Sequence, residues 1–550
     1  MKKRILGILL AAAICFSLIG SSIASAAPAS TEEPIELTIC VGRRPYDSTA
    51  SYAEKHWVQK AEKACNVKIT WIELLEDSMS EQLAAVLAGD LPDAFMCGKH
   101  MADPLIVQST DMWRSFTLDE IREWAPTYYA TCERYIDDWQ NFVTYPDGKI
   151  YGLMGSVYDS ERHYASGVMF MNQKWVEELG MKMPTTLDEL HDILIAFRDN
   201  DMNGNGDTSD EYPINFCNSF YASQVIEFAS WWGLPINNST FYQIKDGNVV
   251  SAVDTQAFRE FLEYFYQLGQ EGLLNLEGFS TTSDQYTAEC DAMKSGIFGA
   301  WAPSYFITNT NNAQQYVGIS AIHADGYEES YFHTPFNHAN RNAFVVSRTC
   351  ANPEAALRFY DYLSDPAFAV EVFMGEEGLA WTFVDDEYHF VMNYCPNKEA
   401  DPDGYAAFVQ KMLDCGYNSY VEKGIMLDGS NLNNYNTTGL VDYGSLVLHS
   451  QGYDMTNRAD GNVVRVQAIR DITARGGYSE PMNLDIVPAD KQEEYDFMCD
   501  GLDTLINAFV ADSIKHGVTD ESWNAYLSQL KAYNYDYYIE FYNAKYHHEL

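Results

Sequence analysis

The amino-acid sequence predicts an α/β protein with two lobes and a helical C-terminal region. Residues 36–97 alternate between strand and helix patterns, and a second alternating series begins at Val168. From residue 403 onward mainly helical patterns remain. At 550 residues the chain is also too long for a single hydrophobic core. The predicted division is a signal segment at 1–26, lobe 1 at 36–155 and 325–390, and lobe 2 at 160–320 and 395–550.

The N-terminus has the pattern of a secretory signal. Three basic residues at positions 2–4 precede an apolar run from Ile5 to Gly20, and Ala24-Ser25-Ala26 forms a small-residue cleavage site. Cys15 lies inside the apolar run, after the bulky Ile14, which is a poor setting for lipid attachment. We therefore expect a secreted, extracytoplasmic protein that is cleaved near Ala26 and has no lipid anchor at Cys15.

The first five predicted elements indicate a parallel sheet, because they follow the order β-α-β-α-β, with helices on both faces. They are Glu36 to Val41, Tyr52 to Cys65, Val67 to Ile72, Met79 to Leu87 and Asp93 to Cys97. Ligands of such sheets bind beyond the carboxyl ends of the strands. At those ends this chain has Gly42, Arg43, Arg44, Gly98 and Lys99. The arginines offer planar hydrogen-bond donors to a ligand, or they belong to a surface loop.

A strand and two helices are predicted between Gly167 and Ile214. Val168 to Met171 is an apolar run typical of a buried strand. The second helix begins at Thr186, which forms a capping box with Glu189. Its apolar residues fall on one face at helical spacing, so this helix should pack on a core. They are Leu187, Leu190, Leu194 and Phe197.

The loop after this helix has the oxygen pattern of a calcium site. The residues of the pattern are Asp201, Asn203, Asn205, Gly206, Asp207, Asp210 and Glu211. The first three supply side-chain oxygens, Gly206 makes the turn, and Asp207 supplies its backbone carbonyl. Asp210 or Glu211 then closes the shell. A second register starts at Asp199 and ends at Asp210. Both registers predict bound Ca²⁺ within residues 199–211, and the alternative is a solvated polar turn.

Patterns further along the chain predict the rest of both lobes. Trp231-Trp232-Gly233 ends one helix pattern, and the sequence DGNVV is typical of a hairpin. The other predicted elements are a helix from Thr255 to Leu268, strands from Ile297 to Trp301 and from Asn342 to Ser347, and a helix from Pro353 to Leu363.

Composition excludes several classes of protein. Hydrophobic residues make up 47% of the chain and aromatic residues 14%, which excludes a disordered chain. A formal net charge of −44 makes nucleic acid and anionic membrane surfaces poor partners. The sequence contains no G-x-S-x-G, no H-E-x-x-H and no P-loop, so no catalytic motif of these types indicates an enzyme.

Eight segments follow one another along the chain: EQLAAVLAGDLPDAFM (81–96), DGKIYGL (147–153), KWVEELGMKMPTTLDEL (174–190), the calcium-like loop, YFYQLGQEGLL (264–274), KSGIFGAW (294–301), GEEGLAWTFVDD (375–386) and DESWNAYLSQLKAYNYDYY (520–538). In this order they make the chain resemble extracellular solute-binding protein family 1. One departure is an additional residue between Gly206 and the Asp210-Glu211 pair.

This resemblance implies the two-lobed periplasmic-binding-protein type II fold. It also implies the capture subunit of an ABC importer, a monomer that closes on an oligosaccharide or similar small solute and delivers it to the transmembrane permease subunits. Two alternatives stay open, a secreted glycan-active hydrolase and a glycan-binding surface protein without a transport role. The 79 acidic residues do not separate them, since such a number puts carboxylates near any cleft.

Tryptophans are the candidate residues for contact with a sugar, because aromatic rings match the apolar faces of sugars. Trp301 follows a predicted strand, and Trp381 lies in the segment that resembles the last crossover of the family. Trp231 and Trp232 lie at a helix end, where adjacent residues cannot both face one site. Arg43, Arg44 and Lys99 are weaker polar candidates. The alternative for each tryptophan is a place in the core.

Overall fold

The computed structural model of the protein describes residues 33–43, 51–75, 78–136, 138–155, 168–220, 222–319, 322–327, 340–379, 381–384, 387–390, 398, 401–418, 421, 461–474, 486–547 and 549. The predicted signal segment, with Cys15, and Arg44 lie outside these residues. Among the described residues, no helix combines the length and the apolar character that crossing a bilayer requires.

The described strands are β1 Ile35–Arg43, β2 Val67–Leu75, β3 Ala94–Met96, β4 Gly152–Gly155, β5 Val168–Asn172, β6 Tyr212–Ile214, β7 Tyr242–Lys245, β8 Asn248–Ser251, β9 Ser295–Ala300, β10 Tyr316–Gly318, β11 Asn340–Val346, β12 Trp381–Val384 and β13 Glu387–Phe390.

The described α-helices are α1 His56–Cys65, α2 Met79–Leu87, α3 Asp103–Gln108, α4 Leu118–Trp124, α5 Pro126–Tyr135, α6 Trp139–Val143, α7 Gln173–Glu178, α8 Leu187–Asp199, α9 Gln256–Gln270, α10 Ser283–Asp291, α11 Thr310–Ala313, α12 Pro353–Leu363, α13 Pro366–Met374, α14 Pro402–Asp414, α15 Gly461–Thr473, α16 Ala489–His516, α17 Asp520–Ala532 and α18 Tyr535–Tyr546. Short 3₁₀ helices include Tyr52–Glu54, Gly98–His100, Val225–Trp232 and Pro303–Tyr305.

The first sheet has five strands in the order β2-β1-β3-β11-β4. β1 runs parallel to β2 and to β3, whereas β11 runs antiparallel to β3 and β4. The predicted β-α-β-α-β unit is therefore confirmed. The predicted helix from Tyr52 to Cys65 is interrupted at Lys55, whose extended backbone separates the 3₁₀ helix from α1. Ser51 caps the 3₁₀ helix with its side chain, so the two helices begin independently.

The second sheet has four strands in the order β10-β5-β9-β6. β9 runs parallel to β6 and antiparallel to β5, and β10 is antiparallel to β5. The predicted apolar face of α8 packs in the core of this unit, where Leu190, Leu194 and Phe197 are fully buried and Leu187 is partly buried. The same core contains Leu502 and Ile506 of α16, so C-terminal helices pack on the second sheet. The first sheet with the helices packed on it is called the first unit, and the second sheet with its helices the second unit.

The capping box predicted at the start of α8 forms only in part. The Thr186 side chain accepts a hydrogen bond from the Glu189 N–H at 3.2 Å, as predicted. The Glu189 carboxylate, however, accepts from the N–H and the hydroxyl of Thr185, both at 2.8 Å, rather than from the Thr186 N–H.

Two crossings of the chain join the carboxyl edges of the sheets. One leaves β4 at Gly155 and enters β5 at Val168, and the other leaves β10 and enters β11 at Asn340. Asn340 pairs with Gly155 at the edge of the first sheet where β1 and β3 end. Val168 pairs with Ala300 at the end of β9. Residues that follow β1, β3 and β9 therefore lie at the two edges that the crossings connect.

The C-terminal region makes contact with both units. Ile486, just before α16, is buried among residues of the first unit such as Tyr145 and Val345. Further along α16, Leu502 belongs to the core of the second unit. Tyr417, after α14, lies against His56 of the first unit, with 4.0 Å between the ring centroids.

Candidate functional site

Trp301 lies at the carboxyl end of β9 and is half-buried. The guanidinium carbon of Arg465, on α15, lies 3.3 Å from the centroid of the indole ring. The Arg465 Nη1 also donates a hydrogen bond to the Trp301 carbonyl at 2.9 Å. Arg465 itself is 1% exposed, so it acts as a fixed support beneath the ring. A guanidinium stacked on an indole is a favourable cation–π contact.

An exposed tyrosine follows Trp301 within one turn. Tyr305 ends the 3₁₀ helix Pro303–Tyr305 and is 58% exposed. Its ring lies 5.6 Å from that of Phe220, which is nearly buried. Tyr305 was not among the site residues predicted from the sequence, although its place just beyond Trp301 and Pro303 in the same loop indicated it. The edge of the second sheet therefore presents two aromatic side chains with accessible surface.

The end of β9 is held tightly by its neighbours. The hydroxyl of the buried Tyr286 donates to the Gly299 carbonyl at 3.1 Å and accepts from the Gly299 N–H at 3.2 Å. A Cβ atom at Gly299 would lie 2.5 Å from the carbonyl oxygen of Ala222. Only glycine fits this close approach. Trp301 therefore extends from a rigid strand end.

The structure does not bring the other candidate tryptophans to this edge. Trp231 and Trp232, which are 2% and 3% exposed, pack in the core of the second unit. Trp381 is 4% exposed in the core of the first unit, and its Nε1 donates to the Gly375 carbonyl at 2.7 Å. Each of these indoles occupies the core position that was the alternative in the sequence analysis.

Two of the three basic candidates, Arg43 and Lys99, lie at the edge of the first sheet. Arg43 ends β1, and its Nη1 donates to Glu73 at 2.8 Å. The other Glu73 oxygen accepts from the Ser51 hydroxyl and the Tyr52 N–H, both at 2.8 Å. The backbone of Lys99 lies in the 3₁₀ helix Gly98–His100, and its side chain is not among those described.

A polar network that the sequence analysis missed lies at the same edge of the first sheet. Asp103 accepts from Arg341 and, at 2.9 Å, from the Asn342 amide. Tyr145 donates to the Asn342 side-chain oxygen at 2.9 Å, and burial raises the pKa of this tyrosine. These residues are 239 positions apart at most, so only the fold brings them together. They tie the start of β11 to α3 and fix this edge.

The calcium-like loop surrounds Asp201. Asp201 Oδ1 accepts from the N–H groups of Gly204 and Asn205 at 2.8 and 3.1 Å, and Oδ2 accepts from Gly206 at 2.8 Å. Gly204 and Gly206 have φ values of +77° and +91°, which favour glycine. The side-chain oxygens of Asn203 and Asn205 accept from the N–H two residues on. The loop is therefore curved around its first predicted ligand.

Two carboxylates close the loop in different ways. Asp210 pairs with Lys294 at 3.0 Å; burial alone would raise its pKa, but hydrogen bonds from Lys294 and Asn205 lower it. Glu211 Oε1 accepts from the Met202 and Asn203 N–H groups at 2.8 and 3.2 Å. Within the described part of the chain, Glu211 Oε2 is buried and has no hydrogen-bond partner, and burial raises the pKa of this carboxyl.

The oxygen atoms of this loop fit a calcium ion as ligands. The loop contributes oxygens only, and Glu211 Oε2 is a buried oxygen that a cation would satisfy. Asp199 instead pairs with Arg198 at 2.8 Å, which lowers the pKa of Asp199. The geometry thus favours the register that begins at Asp201.

Comparison with known proteins identifies similar solute-binding proteins. No family model matches the chain. The fructooligosaccharide ABC transporter substrate-binding protein FusA of Streptococcus pneumoniae serotype 4 is 25% identical over 276 residues, which are 49% of this chain and 50% of that protein. The chain thus spans about half the length of this curated relative. The resemblance to ABC transporter substrate-binding proteins that the sequence predicted is confirmed.

Solved structures confirm the predicted fold class. An HMO-binding, ABC-transporter-associated solute-binding protein of Bifidobacterium longum infantis has a TM-score of 0.74 at 21% identity, covering 94% of this chain and 99% of that one. An EF-hand mutant of S. pneumoniae FusA in complex with fructo-nystose has a TM-score of 0.71 at 18% identity, covering 93% and 99%. The fold is that of two-lobed solute-binding proteins.

Proposed function

We propose that the protein is the substrate-binding subunit of an ABC importer, which captures an oligosaccharide-like solute and delivers it to transmembrane permease subunits. The observation that carries this function is Trp301, a half-buried indole fixed on Arg465 at the edge where the chain crosses between two α/β units. Its aromatic face suits the apolar face of a sugar ring. The fructooligosaccharide specificity in the description of FusA supports this class of solute.

The proposed stacking surface is the accessible part of the Trp301 side chain. Arg465 fixes the indole, with its guanidinium carbon 3.3 Å from the ring centroid. Tyr305 would add a second ring and a hydroxyl that can bond to sugar hydroxyls. Arg43, Arg44 and Lys99 stay as weaker polar candidates. The burial of Trp231, Trp232 and Trp381 supports a core role for them.

We also propose that the two lobes close on the solute. The strands that make up the two sheets support the proposed boundaries, with lobe 1 at 36–155 and 325–390 and lobe 2 at 160–320 and 395–550. The crossings between the lobes would act as hinges for a rigid-body rotation. X-ray scattering with and without a bound oligosaccharide tests this motion, because closure reduces the radius of gyration and an unchanged radius contradicts it.

Calcium is the proposed structural ion of the second lobe. Asp201, Asn203 and Asn205 would supply side-chain oxygens and Asp207 its backbone carbonyl. Glu211 would close the shell with Oε2, and Asp210, already paired with Lys294, would assist. A bound Ca²⁺ would neutralise these carboxylates and fix the loop at the end of α8.

We also propose that the protein is secreted and has no enzymatic activity on its ligand. The signal pattern at residues 1–26 supports secretion, and the setting of Cys15 supports the absence of a lipid anchor there. We propose a monomer that binds glycans without cleaving them, since the similar proteins named above are described as substrate-binding proteins of transporters.

A panel of oligosaccharides tests this function directly. The chain without its predicted signal segment is titrated with neutral fructans, milk oligosaccharides and acidic pectin fragments while tryptophan fluorescence is recorded. We expect saturable binding of one class with a fluorescence change, and no cleavage products after prolonged incubation. Release of shorter sugars indicates a hydrolase instead, and the absence of binding to every class contradicts the proposal.

A further inference from the structure

A second group of metal-ligating side chains lies on the first unit, separate from the calcium-like loop. His56 is the first residue of α1, Glu371 lies on α13, and Glu376 follows the end of α13. One ligand atom from each of the three residues lies within 4.8 Å of the other two. Glu371 is buried, whereas His56 and Glu376 are half-buried.

An ammonium group already occupies the space between the two carboxylates. Lys60 Nζ lies 2.7 Å from both oxygens of Glu371 and 3.1 Å from both oxygens of Glu376. Two carboxylates thus face one lysine, which leaves one negative charge uncompensated by Lys60. The pair is therefore short of positive charge.

The imidazole of His56 is held in place and suited to be a ligand. Its ring lies 4.0 Å from that of Tyr417, and the Tyr417 hydroxyl accepts a hydrogen bond from the Glu376 N–H at 3.1 Å. One aromatic side chain therefore contacts both His56 and Glu376.

We propose that His56, Glu371 and Glu376 form a binding site for a divalent transition metal, with zinc as the best fit. One imidazole nitrogen, two carboxylates and a water molecule would make up the four ligands of an open zinc site. An imidazole ligand also favours zinc over calcium or magnesium. Zn²⁺ would balance the charge of both carboxylates. The side chain of Lys60 is 37% exposed, so it can move into solvent as the metal enters.

Zinc titration of the secreted chain tests this site. The competitor is a zinc-sensitive dye, and Ca²⁺ is kept in excess so that the loop at 201–211 does not take part. We expect one zinc equivalent, and Glu371→Gln should weaken zinc affinity by more than about tenfold. Lys60→Met should strengthen zinc binding, because it removes the competing cation. Circular dichroism without zinc establishes that each variant is folded.

The matched control is His191→Gln. His191 Nε2 lies 2.7 Å from Glu271, so this pair also joins an imidazole to a carboxylate. Among the described residues it does not form a group of three ligands. We expect unchanged zinc affinity in this variant. The proposal is overturned if folded Glu371→Gln and His56→Ala bind zinc as the natural chain does, or if Lys60→Met weakens binding. Zinc binding that only His191→Gln removes also overturns it.

Discussion

The two edges joined by the chain crossings differ in how their side chains are used. At the edge of the first sheet, Asp103, Tyr145, Arg341 and Asn342 bond to one another. Trp381, the first residue of β12, is buried in the core of the first unit. At the edge of the second sheet, Trp301 and Tyr305 keep accessible surface. A tryptophan near a strand end can therefore be a core residue or a binding surface, and its tertiary neighbours decide which.

The largest expected effect is the loss of stability in Trp381→Ala, which tests whether Trp381 is a core residue. Trp381→Ala should lower the free energy of unfolding by about 3–5 kcal/mol, because it leaves a cavity in the first core and removes a hydrogen bond to Gly375. Urea denaturation measures this loss, and Trp381→Phe is the control with a smaller cavity. If Trp381→Ala stays as stable as the natural chain but loses the sugar, Trp381 belongs to the binding surface.

Calcium removal should act on the second unit alone. If Ca²⁺ is present at 100 times its dissociation constant, it stabilises the folded state by about 2.7 kcal/mol, and a chelator removes this stabilisation. Asp201→Ala should lower the melting temperature in Ca²⁺ and abolish the response to chelator. Asp199→Ala is the matched control, because Asp199 pairs with Arg198. An equal loss in Asp199→Ala would favour the second register, and no response to chelator in the natural chain would leave only a polar turn.

Trp301→Ala should weaken binding without unfolding the protein. Loss of one stacking ring in a binding site typically costs about 1–3 kcal/mol. The measurement is calorimetric titration with the oligosaccharide that the panel identifies, alongside the melting temperature. Trp301→Phe should retain part of the affinity because it keeps an aromatic face. Normal affinity in folded Trp301→Ala would exclude this indole from the proposed site.

The smallest expected effect concerns Asp503 on α16, which lies on the second unit. Burial, with a smaller contribution from Asp500, raises the pKa of Asp503 to about 6 from its ordinary value of 3.8. The folded state therefore binds the proton more tightly, and stability falls as pH rises from about 4 to 6. Asp503→Asn should raise the melting temperature slightly at pH 7 and leave it unchanged at pH 4. An equal change at both pH values would exclude this titration as the cause.

The two proposed cation sites differ in whether their ligands are close together in the sequence. The calcium-like loop could be predicted because its ligands are neighbours in the chain, and alternation alone turns their oxygens to one centre. The proposed zinc ligands His56 and Glu371 belong to helices far apart in sequence, α1 and α13, so their spacing carries no recognisable motif.

The sequence by itself determined the α/β class, the parallel β1-β2-β3 unit, α8 with its buried face and the loop at 201–211, because hydrophobic period and turn chemistry act over a few residues. The tertiary structure decided which of the four candidate tryptophans stays accessible, since Trp301 packs on Arg465, 164 positions away, and the other three are buried. It also decided the Asp103–Arg341 pair. Burial and charge at such positions depend on neighbours that only the folded chain supplies.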